Sequence, residues 1–165
     1  MTIPEAGHIA AASAAPGRRI LVIGFGNPAR GDDGLGPALA ARLEALAPDG
    51  VTVESDYQLT IEDAATVADH DIVVFADAAR DAGDAPFYFH ELTPSHDTGG
   101  STHSLSPGQV LAIAHACFGK TPRAYLLGMR AFRLDVFAER LSLEAREVLE
   151  RALEHLVGFI EAERR

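Results

Sequence analysis

The sequence predicts an α/β protein, a three-layer α/β/α sandwich around a mostly parallel five-stranded sheet with one antiparallel edge strand. Residues 20–23 and 71–76 form runs that are almost wholly apolar, the pattern of parallel strands covered by helices on both faces. Between them, Leu35, Leu39, Leu43 and Leu46 recur at spacings of four and three, the period of one buried helix face. The resulting order of strand, helix, strand, helix, strand folds through right-handed crossovers into a parallel sheet layered between helices.

The elements follow in turn. Ile20, Leu21, Val22 and Ile23 are a buried strand that runs into the glycine-rich stretch GFGNPARGDDGLG, where Gly24 and Gly26 allow a tight turn and Asn27-Pro28 delays the helix. Asp32 and Asp33 then stand before the helix of residues 35–46, which Pro48-Asp49-Gly50 stops. Val51, Val53 and Ser55 alternate with polar neighbours as a short strand, and residues 61–68 form a weaker helix. The central strand of residues 71–76 ends at Asp77. PFYFHEL at 86–92 is an edge strand, since Pro86 opens it, and 95–106 is a polar loop before a helix of residues 107–117. Residues 122–129 make the last strand. The terminal helix of residues 141–163 turns Leu149, Leu153, Leu156 and Ile160 to one side.

With 165 residues, 47% of them hydrophobic, the chain has material for one core and one domain, expected over residues 19–165. Residues 1–18 are rich in Ala, Gly and Pro, and their basic residues follow the small ones, the reverse of a secretory signal. That segment reads as a flexible N-terminal extension. A net charge of -10 with scattered arginines argues against a nucleic-acid partner, and no run approaches the length of a membrane span. The single cysteine, Cys117, precludes an internal disulfide and suits a reducing cytoplasm; its place on an apolar helix face predicts a buried small hydrophobe.

Gly24, Gly26 and Ala29 fit a dinucleotide fingerprint, with Glu54 where a ribose acceptor would lie. Pro28 interrupts it, and two aspartates stand where a diphosphate would dock, so the charges repel. For the aspartates themselves, helix capping and dipole stabilisation are the plain roles. Side chains one residue apart on a helix diverge by about 100°, so only one can cap and the other should project into the crevice above the sheet. Metal ligation and acid–base work are both open to it. Asp77, at the tip of a central strand, is placed to face Asp33 across that crevice, whereas Asp81 and Asp84 read as turn residues. Of seven histidines, His96 and His103 lie in the polar loop where a ligand could reach the strand ends, and the residues alone do not choose between them. Two carboxylates and an imidazole suit a divalent transition metal with open positions for substrate or water.

The stretch G-F-G-N-P-x-R-G-D-D-G-L-G, A-D-A at 76–78 and S-T-H at 101–103, in this order, resemble the [NiFe]-hydrogenase maturation endopeptidases. The resemblance runs from about Arg19 to the final helix. It implies an α/β/α endopeptidase that removes the C-terminal extension of a hydrogenase large-subunit precursor once nickel is inserted. It also implies that Asp33, Asp77 and His103 are the metal-contacting and catalytic residues, which selects His103 over His96. Some members carry glutamate at the first position, so Asp33 makes a shorter arm. The implied mechanism recognises nickel carried by the substrate: the cysteine-bound metal offers an open position to the three side chains, and a carboxylate or metal-polarised water attacks the adjoining carbonyl. The expected partner is that precursor, with no nucleic acid and no membrane, and the expected location is the cytoplasm. Two other readings are a non-catalytic docking module or metallochaperone for a nickel protein, and a nucleotide-dependent oxidoreductase.

Overall fold

The computed structural model describes residues 17–97 and 104–165. Its elements are β1 (Ile20–Phe25), α1 (Leu35–Leu46), β2 (Val51–Asp56), α2 (Asp63–Ala68), β3 (Ile72–Ala79), β4 (Phe87–Leu92), α3 (Pro107–Phe118), β5 (Arg123–Arg130) and α4 (Leu143–Glu163). A 3-10 turn over Gly31–Gly34 precedes α1. The strands join one five-stranded sheet in the order β2-β1-β3-β5-β4, with β4 alone antiparallel. The predicted sandwich and its antiparallel edge are therefore present.

The alternation of side chains across the central strands divides the core in two. Ile20, Val22, Ile72, Val74, Leu127 and Met129 face α1 and α4, whereas Leu21, Ile23, Val73, Phe75 and Ala124 face α2 and α3. On the first side α4 contributes Leu149, Leu153, Leu156 and Ile160, all buried as their spacing requires. Leu46 departs from its predicted face and is 58% exposed, because α1 ends there and Ala47 turns left-handed at φ 45°. Cys117 is likewise exposed, since it falls in the last turn of α3 beyond the buried Val110, Leu111 and Ala114.

The helices start by different means. Ser106 and Gln109 form a reciprocal capping box at α3, and Ser142 caps α4 by accepting from the Ala145 N–H. At α1 the N-cap is Gly34, with no side-chain cap. Neither aspartate caps that helix, contrary to the sequence expectation, because the intervening 3-10 turn redirects both. Of the predicted extension, residues 1–16 lie outside the described part; Arg18 is described and pairs with Glu163 of α4.

Candidate active site

The crossover β1-α1-β2 runs one way along the sheet, and the later strands lie on the other side of β1. The order reverses between β1 and β3, so a crevice opens beyond the carboxyl ends of these neighbouring strands. Asp33 enters it from the turn after β1, and Asp77 from the last part of β3. β3 extends three residues past the predicted Ala76 because its pairing with β5 continues through Asp77↔Gly128, Ala78↔Met129 and Ala79↔Arg130. Asp77 thus sits within the strand, anchored at its rim.

Asp33 is held by its own loop. Gly26, at φ +142°, occupies a conformation few side chains tolerate, and a Cβ there would lie 2.1 Å from the Asp33 carbonyl oxygen. That close approach brings the Asp33 Oδ2 within 2.7 Å of the donating Asn27 N–H. The backbone donor that a nucleotide phosphate would need in this loop is bonded to an internal carboxylate, which removes the physical basis of the dinucleotide reading.

Asp32, its neighbour, turns the other way and is fully buried. Its Oδ2 accepts from the Phe132 N–H at 2.9 Å, the Arg133 N–H at 2.8 Å and the Ser142 hydroxyl at 2.8 Å, while Oδ1 accepts from the Ser142 N–H at 2.8 Å. Burial by itself disfavours the charge, but the hydrogen bonds from Ser142, Phe132 and Arg133 together outweigh it and lower the carboxyl pKa. Asp32 therefore ties the turn that carries Asp33 to the segment joining β5 and α4. Backbone bonds reinforce the tie: Gly31 N–H donates to Ala138 at 2.9 Å and Asp32 N–H to Arg133 at 2.8 Å.

Asp77 has the opposite environment. Burial in the cleft raises its pKa to about 7; a bond to its Oδ1 from the Ala78 N–H at 2.8 Å opposes the rise, and the negative charge of Asp33 adds to it. The electrostatic influence of Asp33 on Asp77 is the mark of two carboxylates sharing one crevice. A carboxyl of that affinity exchanges its proton near neutrality, as acid–base chemistry requires.

Tyr88 lines the same cleft and was not among the sequence candidates. It pairs with Gly128, which in turn pairs with Asp77, so the three occupy one row across β4, β5 and β3. Burial first, then the charge of Asp77, raises the tyrosine pKa. A glycine inside the strand segment YLLGMR was the available signal, since such a gap often admits a neighbouring group.

Three of the described histidines have local partners. His70 bonds Thr66 and Thr52, His115 bonds Thr121, and His155 packs on Phe87 and Phe89. His96 is exposed. His103 lies outside the described residues, and among those described no group of three or more His, Cys, Asp or Glu side chains is arranged to hold a metal ion. A cavity of about 670 Å³ between the carboxyl ends of α1 and α4, lined in part by Leu43, Leu46 and Ile160, is at the opposite end of the sheet from both aspartates.

No protein-family model matches the chain, nor does any curated protein sequence. Solved structures do. The [NiFe] hydrogenase maturation protease HycI from Thermococcus kodakarensis KOD1 superposes with a TM-score of 0.70 at 26% identity, over 87% of this chain and 93% of that one. The hydrogenase maturating endopeptidase HybD from E. coli gives 0.65 at 25% identity, with the same coverages of 87% and 93%. This chain is similar to the hydrogenase maturation endopeptidases. The hydrogenase 2 maturation peptidase from Thaumarchaeota archaeon SCGC_AB-539-E09 shares the fold at a TM-score of 0.66 and 22% identity, over 87% of this chain and 99% of that one.

Proposed function

We propose that the protein is a peptide hydrolase that removes the C-terminal extension of a [NiFe]-hydrogenase large-subunit precursor after nickel insertion. The observation that carries this reading is the convergence of Asp33 and Asp77 at the reversal point of a sheet like that of the maturation endopeptidases. Nickel enters as part of the substrate. On this reading Asp33, Asp77 and His103 contact the precursor's metal, and the peptide bond beside it is held in the crevice. Two hard carboxylate oxygens and an imidazole nitrogen form a donor set suited to a divalent transition ion.

Asp33, with its Oδ2 fixed by the Asn27 N–H, acts as the rigid contact. Asp77 supplies the adjustable one, since its proton leaves near neutrality and frees an oxygen for the metal or takes a proton from attacking water. The working compartment on this reading is the cytoplasm, where the free, exposed Cys117 stays reduced. No helix among the described residues is long and apolar enough to cross a membrane.

Mass spectrometry of nickel-loaded precursor before and after incubation tests the proposal. Loss of a C-terminal fragment with the wild type, and a rate at least a hundredfold lower with Asp33→Asn, Asp77→Asn or His103→Ala, is expected. An unchanged precursor mass in a stable complex would instead favour a docking module.

A further inference from the structure

The row Asp77, Gly128, Tyr88 spans three strands, and side chains paired in register stand on the same face of the sheet. Gly128 contributes none. The Tyr88 ring fills its place: a Cβ on Gly128 would lie 2.1 Å from Tyr88 Cζ and 2.5 Å from each Cε. Because Cζ is the nearest atom, the hydroxyl-bearing end of the ring lies over β5 and the phenol points onward toward β3. His90, two residues along β4, stacks on the ring at 5.1 Å with the planes 10° apart and holds it flat.

Two strand spacings separate β4 from β3, about 9.6 Å in all, and the ring's outer end reaches only the middle strand. The ring's outer end is therefore about one strand spacing, about 4.8 Å, short of the strand that carries Asp77, so the phenol and the Asp77 carboxyl stand side by side on one face of the sheet. Covering a glycine needs only an aromatic ring. The two β4 aromatics on the other face, Phe87 and Phe89, are phenylalanines packed against His155, Tyr125 and Phe159. A hydroxyl is present at the one β4 aromatic that faces the cleft, and it makes no hydrogen bond with any described residue.

We propose that Tyr88 is a substrate-contacting residue of the Asp33–Asp77 cleft, its phenolic O–H donating a hydrogen bond to a carbonyl oxygen of a peptide segment laid across the row that Tyr88 shares with Asp77. The inference rests on the peptidase reading above and adds to it a hydrogen-bond donor beside Asp77. A neutral, pre-oriented donor suits a carbonyl that gains negative charge during hydrolysis, because it stabilises that charge without a full ion in the site.

Tyr88→Phe keeps the ring on Gly128 and removes only the O–H. With nickel-loaded precursor, kcat/KM is expected to fall tenfold or more while the thermal midpoint stays at the wild-type value. A fall confined to kcat marks a bond made as the carbonyl charges, and a rise confined to KM marks one made on binding; both are substrate contacts. A kcat/KM within twofold of the wild type overturns the assignment of Tyr88 and leaves the peptidase reading intact. Loss of activity in step with a lowered thermal midpoint also overturns it, since that is the behaviour of a packing residue. If the wild type itself leaves the precursor mass unchanged, the peptidase reading fails and this inference with it.

Discussion

Asp32 and Asp33 are the same residue type one position apart, and the fold gives them opposite tasks. Asp32 receives four hydrogen bonds in a site closed to water, so its charge is fully compensated. Asp32→Ala would strand donors from Phe132, Arg133 and Ser142, a loss of about 3 kcal/mol that urea unfolding would measure. Its pKa is lowered in the folded state, so the stabilisation is complete above the unfolded value and disappears as pH falls through the folded one. Wild-type stability should accordingly drop below about pH 4 more steeply than that of Asp32→Asn. For Asp77 the sign reverses. A pKa raised to about 7 means that the folded protein holds a proton which the unfolded chain has already released, so between the unfolded value and pH 7 stability declines as pH rises. Asp77→Asn should leave stability unchanged near pH 4 and raise it by about 2 kcal/mol at pH 8, the full shift being discounted because solvent reaches the cleft mouth. The same group predicts that wild-type kcat/KM on loaded precursor climbs between pH 6 and pH 8 as the carboxylate forms. A flat profile over that range would remove Asp77 from the titrating role.

At the scale of elements, periodicity located helices and strands well wherever one face meets a core. The α1 bounds, Leu35–Leu46, agree with the leucine spacing, and β1 begins at the predicted Ile20. The placement of Asp33 and Asp77 at neighbouring strand ends was legible too, because residues after parallel strands come together at a reversal of strand order. What local pattern could not reveal is the Asp32 tie, whose partners lie 100 to 110 positions further along the chain. Tyr88 escaped for a similar reason: its neighbour across the row, Gly128, belongs to a strand 40 residues later, and only the register joins them. The assignment of His103 rested on the family resemblance, and that position is outside the described residues. Ser142 tests how strongly the tie and the helix depend on each other. Its hydroxyl donates to Asp32 and accepts from the Ala145 N–H, so one side chain both caps α4 and completes the Asp32 site. Ser142→Ala should cost about 2 kcal/mol in chemical unfolding, a cap of about 1 plus a buried charged hydrogen bond of similar size. In an Asp32→Ala background the same change should cost only about 1 kcal/mol, because the second interaction is already gone.

For the whole molecule, the sheet keeps the cleft carboxylates apart from the layers that hold the fold together. The buried layers against α1 with α4 and against α2 with α3 fix the strands, while the Asp33 and Asp77 carboxylates occupy the open rim between β1 and β3. That separation lets the rim be selective without weakening the core. On the proposed reading, selectivity comes from a bond available only in the finished substrate: a precursor already holding nickel offers the carboxylates a coordination position, and an empty one offers only peptide contacts. Two anionic side chains in one crevice also repel each other, as the effect of Asp33 on Asp77 records, and a bound cation relieves that repulsion. The wild type should therefore cleave nickel-loaded precursor at least a hundredfold faster than the metal-free form, followed by mass spectrometry under matched concentrations. Asp33→Asn, which removes the charge but keeps an oxygen near the Asn27 N–H, should narrow that ratio mainly by slowing the loaded reaction. Equal rates on the two precursors would show that the rim reads the peptide alone and that its pair of carboxylates serves water activation without sensing metal.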